Sequence, residues 1–185
     1  MNEVRDLFSS QKILSALFSV TNKLQLRGDE YLRDLTIRQI LAIPAIMHAP
    51  EGKATINYIA RTLGTTKQSA KQIINVMEKK RYITMAPSEH DKRAVDVTVT
   101  QEGMRAFRIC SKRTDIFLAD VFRDFTAKDL ETLCALLGKL YSFDGAGRDD
   151  ISMDFPERDA DIIRQHHKDF IKRRIDKHEQ QNNIQ

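Results

Sequence analysis

The sequence predicts a mainly α-helical fold interrupted by one small two-stranded β element, and three observations support this. Two short amphipathic segments, TINYIARTLG and TKQSAKQIINVMEKKRY, are joined with only Thr65 and Thr66 following Gly64, the spacing of two helices linked by a tight turn. Two β-prone runs follow at once, Tyr82 to Ala86 and Ala94 to Thr100, around a polar loop. Long stretches with apolar residues at helical spacing lie on both sides of this block. A hairpin directly after a helix-turn-helix is a winged helix-turn-helix, here with a small two-stranded β wing.

Bulk properties narrow the class. A chain of 185 residues has room for one ordinary domain plus an appendage, or for two small lobes. Hydrophobic residues make up 41% but aromatics only 7%, and Trp is absent, so the core must be aliphatic. No run approaches the roughly 20 apolar residues of a membrane span. The opening MNEVRDLFSSQK lacks the apolar stretch of a signal peptide. Two cysteines and no export signal lead us to expect a reducing cytoplasm rather than a disulfide framework. The formal charge of +4, from 30 basic and 26 acidic side chains, is what a solvated helical surface also gives. The placement of the charge therefore carries more information than its sum.

Read in order, Val4, Leu7, Phe8, Leu14, Leu17, Phe18, Thr21 and Leu24 form one face of a long helix, with Gly28 expected as its stop. Thr36 can cap a second helix towards His48, in which Pro44 removes a backbone donor and predicts a kink or an early break. Thr55 is a cap candidate for the next helix, whose stripe is Ile56, Ile59, Ala60 and Leu63, and Gly64 is placed to end it. Ala70, Ile73, Ile74 and Met77 are the stripe of the following helix. Val95, Val97 and Val99 alternate with Asp96, Thr98 and Thr100, as in a half-buried strand. Helical spacing returns from Gln101 to about Phe125. Thr126 and Asp129 resemble a capping box for a last helix with Leu130, Leu133, Leu137 and Leu140 in line. FDGAGRDD reads as a linker, and the segment from Pro156 to Glu179 as one more amphipathic helix.

The residues that point to function lie in the middle. Opposite the apolar stripe of the second short helix stand Gln68, Lys71, Gln72, Asn75 and Lys79. Amide side chains can bond adenine edges bidentately, and lysines can meet phosphates. From Thr65 to Arg81 five basic side chains face one acid, Glu78. A solvated surface helix has the same composition, and it is the position as second helix of a helix-turn-helix that favours a DNA-reading face. In the loop SEHDKR, Arg93 beside Lys92 could enter a narrow minor groove with Asp91 orienting its guanidinium. Most charged hairpin tips, however, are simply solvated.

From about Leu35 to Phe107 the chain resembles the MarR family of bacterial transcription regulators. The residues that carry the resemblance are LTIRQ, IARTLGTTKQSAKQIINVMEKKRYI and DKRAVDVTVTQEG, in that order. The last is the most specific: Asp, any residue, Arg, then a strand ending in Thr and a Gly that opens the next helix. The resemblance implies that Thr66, Lys67, Gln68, Lys71, Gln72 and Asn75 belong to a recognition helix, and that Arg93 and Asp91 are the wing arginine and its holder. It also implies a homodimer built on long dimerisation helices, double-stranded DNA with a pseudo-palindromic operator as partner, and repression relieved by a small anionic or phenolic effector. The organisation expected is a dimerisation helix and connection over 1–34, the winged helix over 35–100, dimerisation helices over 101–141, and a linker with an extra helix over 142–185. Three features depart from the family pattern: Arg81 stands where a glycine usually ends the recognition helix, Pro44 lies inside the second helix, and the tail beyond Ser142 is not covered.

Other chemistries find little support. His166, His167 and His178 lack a third ligand at metal-site spacing, so no metal and no cofactor are expected. Cys110 and Cys134 are expected to be buried and inert, although a thiol-switched regulator is an alternative, as is a winged helix used only for protein contacts. No phosphate-binding glycine loop, nucleophile elbow or paired catalytic carboxylates appear, so no enzyme is expected. Met47, His48 and Phe18 could border an effector pocket.

Overall fold

The computed structural model describes residues 2–50, 54–87, 95–144, 168 and 170–172. Six helices and one hairpin are defined among them: α1 (Asn2–Leu32), α2 (Ile37–Met47), α3 (Ile56–Thr62), α4 (Lys67–Lys79), β1 (Ile83–Pro87), β2 (Val95–Val99), α5 (Gln101–Val121) and α6 (Ala127–Tyr141), followed by a short 3-10 turn at Ser142–Asp144. This is the mainly α winged helix-turn-helix that the sequence predicts. The tail helix expected from Pro156 lies outside the described residues, apart from helical Lys168 and Phe170 to Lys172.

Side-chain caps fix most helix starts. The hydroxyls of Thr36, Thr55, Thr66, Thr100 and Thr126 each accept a backbone N–H from the first turn of α2, α3, α4, α5 and α6. Each satisfies an amide donor that the helix geometry leaves unpaired. Thr36 with Gln39 and Thr126 with Asp129 complete reciprocal capping boxes.

Two expectations about helix ends are corrected. Gly28 does not stop α1, which continues to Leu32. The glycine is buried, and a Cβ there would overlap the Ile37 side chain, so its role is to let α2 approach α1. The stop is Arg33, in the left-handed region at φ 64°. Nor does Pro44 break α2, which runs unbroken through it to Met47. An interior proline costs about 3 kcal/mol. Here Gln39, Ile40 and every residue from Ala42 to Ile46 are buried. Burying three isoleucine side chains at roughly 1.5–3 kcal/mol each outweighs the loss.

The core forms where these elements meet. Leu32, Leu35, Ile40, Ile43, Ile46, Ile59, Ile74, Met77, Ile83 and Val97 pack together with Ala106 and Cys110 of α5. The hairpin pairs antiparallel, with Ile83 opposite Val99 and Met85 opposite Val97. The segment before α3 joins it: Val97 N–H donates to the Ala54 carbonyl at 3.0 Å, and Thr55 bridges Asp96. The wing is thereby tied to the start of the helix-turn-helix.

Other apolar faces find no cover within the protomer. Val4, Leu7, Phe8, Leu14 and Phe18 of α1, which belong to the apolar face read from the sequence, are 58–68% exposed. Helix α6 has no buried residue, and Leu136, Leu137 and Leu140 are exposed along it. Of the two cysteines, Cys110 is buried as expected but Cys134 is exposed, which corrects the reading of both as buried. No helix among the described residues is long and apolar enough to cross a membrane.

Candidate nucleic-acid interface

Helices α3 and α4 are joined by a tight turn whose geometry follows from its sequence. Gly64 sits at φ 58°, where L side chains are strained. Thr65 N–H donates to the Ala60 carbonyl at 2.9 Å, and Gly64 N–H to Arg61 at 3.0 Å. This paired ending is a Schellman motif, with Gly64 at its left-handed position. Thr66 then caps α4, accepting from Ser69 N–H at 3.1 Å while its hydroxyl donates to Ser69 Oγ at 3.0 Å.

The far end of α4 repeats the motif with a different residue. Tyr82 N–H donates to the Met77 carbonyl at 3.0 Å and Arg81 N–H to Glu78 at 2.8 Å. Arg81 occupies the left-handed position at φ 60°. The helix therefore ends where the family pattern has glycine, with arginine tolerating the same backbone. Thr100 holds this ending: its hydroxyl donates to the Arg81 carbonyl at 2.7 Å, and its N–H donates to the Tyr82 carbonyl at 3.0 Å.

Between these two ends α4 is sharply two-sided. Ala70, Ile74 and Met77 are buried. Lys67, Gln68, Lys71, Gln72 and Lys79 are exposed and Asn75 is half-buried. The sequence-selected side chains are thus gathered on the outer side of one helix. Thr66 is exposed too, but its hydroxyl is engaged as the cap. Asp91, Lys92 and Arg93 lie outside the described residues, as does the whole tip of the wing. The strands that carry the tip are set by the hairpin register.

The exposed lysines and amides offer hydrogen-bond donors and positive charge in one strip, which suits phosphates and base edges and leaves no apolar anchor except Val76. One further exposed cation of the helix-turn-helix escaped the sequence reading. Arg61, in the last turn of α3, is exposed and lies over the Tyr58 ring at 5.7 Å. The spacing of Tyr58 and Arg61, three residues apart on one helix, is the signal that could have found it.

Of the candidate effector positions, Met47 and Phe18 are exposed, and His48 is half-buried at the end of α2. Burial pushes the Cys110 thiol above its ordinary value, and the neighbouring Asp34 pushes the same way. Among the described residues no three His, Cys, Asp or Glu gather as metal ligands. His166, His167 and His178 lie outside them.

Comparison with known proteins agrees with this geometry. The family model described as the MarR family matches residues 33–94, which span α2, the helix-turn-helix and β1 and end just before β2. No curated protein sequence matches the chain. Among solved structures, the S. aureus MepR–DNA complex is similar with a TM-score of 0.61 at 21% identity, covering 69% of this chain and 96% of that one. An E. coli MarR mutant complexed with operator DNA has a TM-score of 0.62 at 22% identity, covering 70% and 93%. The organohalide-sensing regulator RdhR, in its 2,4-dichlorophenol-bound form, has a TM-score of 0.63 at 16% identity, covering 71% and 78%. At these identities the structures establish the shared winged-helix fold, and the MarR family model matches about a third of the chain, a segment that includes α4 and its left-handed ending.

Proposed function

We propose that this chain is a transcriptional regulator that binds a pseudo-palindromic site in double-stranded DNA as a homodimer and responds to a small effector. The observation that carries the reading is the outer side of α4, where Lys67, Gln68, Lys71 and Gln72 stand exposed on the second helix of a helix-turn-helix. In this reading the amides of Gln68, Gln72 and Asn75 meet base edges, Lys67, Lys71 and Lys79 meet phosphates, and Thr66 orients the helix start. Arg93, held by Asp91 and accompanied by Lys92, enters the flanking minor groove.

The dimer is supported by the uncovered apolar faces of α1 and α6. Phe8, Leu14 and Phe18 stand exposed on one helix and Leu137 and Leu140 on another, and exposed apolar faces of this kind mark protein contacts. In this reading 1–34 and 101–141 build the dimer and 35–100 binds DNA. MepR and MarR are described with DNA and RdhR with a dichlorophenol. A phenolic or anionic effector and repression by promoter occlusion extend that likeness to this chain. We read no catalytic role and no resident cofactor, and place the protein in the cytoplasm.

The test is selection of bound sequences from a random duplex library by the purified full chain at physiological salt. An enriched palindrome with half-sites about one helical turn apart is expected. Salt-sensitive binding without enrichment would refute sequence-specific recognition.

A further inference from the structure

The four-residue connection between α1 and α2, Arg33 to Thr36, is gripped from two sides. Helix α1 ends at Leu32, Arg33 turns left-handed, and Asp34 N–H folds back onto the Leu32 carbonyl at 2.8 Å. From α5, Arg113 Nη1 donates to the Leu32 carbonyl at 2.8 Å and to Asp34 Oδ2 at 3.0 Å. From the end of α4, Lys80 Nζ donates to the Asp34 carbonyl at 2.7 Å. Asp34 thus stands between a cation of the dimerisation helix and a cation at the C-cap of the recognition helix.

Magnitudes argue against a stabilising role. Asp34 and Arg113 are 55% and 32% exposed. Pairs this wet contribute about 0–1 kcal/mol, against a core that buries a dozen apolar side chains. What the arrangement does supply is direction. Arg113 is a planar fork whose one nitrogen reaches two acceptors, fixing the connection against α5. Lys80 then ties α4 to the same short stretch of backbone. The apolar contacts beneath are non-directional, whereas these bonds set an angle.

The geometry points to Arg113 and Lys80 as positioning residues for DNA recognition, which set the pitch of α4 relative to the dimerisation helices and so the half-site spacing the dimer accepts. This inference rests on the dimeric DNA-binding reading. It needs no contact between either residue and DNA.

The experiment compares full-length wild type, Arg113→Met, Arg113→Lys and Lys80→Met on the selected site and on versions with one base pair added or removed between half-sites. Wild type should prefer its own spacing. In Arg113→Met and Lys80→Met that preference should shrink by about fivefold or more, with the slope of affinity against salt unchanged because no phosphate contact is lost. Arg113→Lys, which keeps the charge but loses the fork, should fall between. Preserved spacing preference in both methionine variants overturns the inference, and a salt slope reduced by about one in Lys80→Met overturns it for Lys80 by revealing a phosphate contact.

A second readout does not involve DNA. Spin labels at Gln72→Cys in a Cys134→Ser background report the distance between the two recognition helices of the dimer. Arg113→Met should broaden that distribution, and an unchanged width overturns the inference. Should Arg113→Met fail to fold, Asp34→Asn, which keeps both backbone acceptors, carries the same two measurements. A wild type that selects no site but shows a sharp distance broadened by these variants would refute the DNA reading and leave the positioning role standing.

Discussion

Thr100 Oγ1 donates a 2.7 Å hydrogen bond to the carbonyl of Arg81, a residue nineteen positions earlier in the chain. The same oxygen accepts the Gly103 N–H at 3.0 Å, capping α5. One threonine therefore joins the end of α4, the end of β2 and the start of α5. Any rotation of α4 about its C-terminal end must be passed to α5 through this residue or break its bonds.

The left-handed backbone at Arg81 gives the first prediction. A side chain at φ 60° costs roughly 1–2 kcal/mol relative to the right-handed region, and glycine escapes most of that. Arg81→Gly should raise unfolding free energy by about 1 kcal/mol in urea titration. A variant less stable than wild type would show that the arginine side chain contributes more than its backbone costs.

The buried glycines should respond unequally to a methyl group. At Gly103 a Cβ would overlap the Tyr82 carbonyl, which is backbone and is held by Thr100 N–H. At Gly28 the overlap is with the outer carbons of the Ile37 side chain, which can change rotamer. Gly103→Ala should cost about 3 kcal/mol or more and Gly28→Ala about 1–3 kcal/mol. Chemical denaturation of both variants checks the order, and the reverse ranking would contradict the packing described.

Gly64 and Gly28 mark how far the sequence could be read. Gly64 was legible because a glycine between two short amphipathic stripes has one common use, and the caps at Thr36, Thr55 and Thr126 follow from equally local rules. Gly28 was misread as a stop because nothing local says that α2 will lie against it. Pro44 was misread because its local penalty is visible in the sequence, whereas the burial that offsets it is a property of the assembled core. On α4 the outer side follows from helical period alone, so Gln68, Lys71 and Gln72 are exposed as expected. Arg113 and Lys80 meet at Asp34 from positions 79 and 46 residues away. No pattern in a single sequence announces such a pairing.

Cys110 is predicted to resist modification. It is fully buried, its Sγ lies 3.6 Å from the Leu32 carbonyl, and burial holds it in the thiol form. Thiolate is the reactive species, so neither alkylating agents nor mild peroxide should reach it in the native protein. Mass spectrometry after brief treatment should find Cys110 unmodified until denaturant is added. An adduct on Cys110 under native conditions would revive a thiol switch.

The α6 capping box should titrate. Hydrogen bonds from the Thr126 hydroxyl and backbone N–H hold the Asp129 carboxyl below the usual aspartate range. A folded-state value below the unfolded one means a contribution present above the unfolded value near pH 3.9 and lost as pH falls through the folded value. Carbon-detected NMR of the side chain should place the Asp129 midpoint below that of an ordinary aspartate. Thr126→Val should move it upward, and an unmoved midpoint would rule out the cap as the cause.

The outer side of α4 makes the prediction that separates positioning from reading. Lys71 and Gln72 are adjacent and both exposed, yet the proposed roles differ in kind. A lysine on phosphate contributes to every sequence alike, releasing counterions as it binds. Lys71→Met should therefore weaken selected and random duplexes by the same factor and reduce the salt slope by about one. A glutamine on a base edge discriminates between bases, at about 1–3 kcal/mol for one good bidentate pair. Gln72→Ala should leave the salt slope alone, weaken the selected site and flatten the preference at one position of each half-site. Fluorescence anisotropy at several salt concentrations, on the selected site and its single-base variants, measures both effects together. If Gln72→Ala changed only the salt slope, the register of α4 in the groove would have to be rotated, bringing Gln68 and Asn75 to the bases in its place.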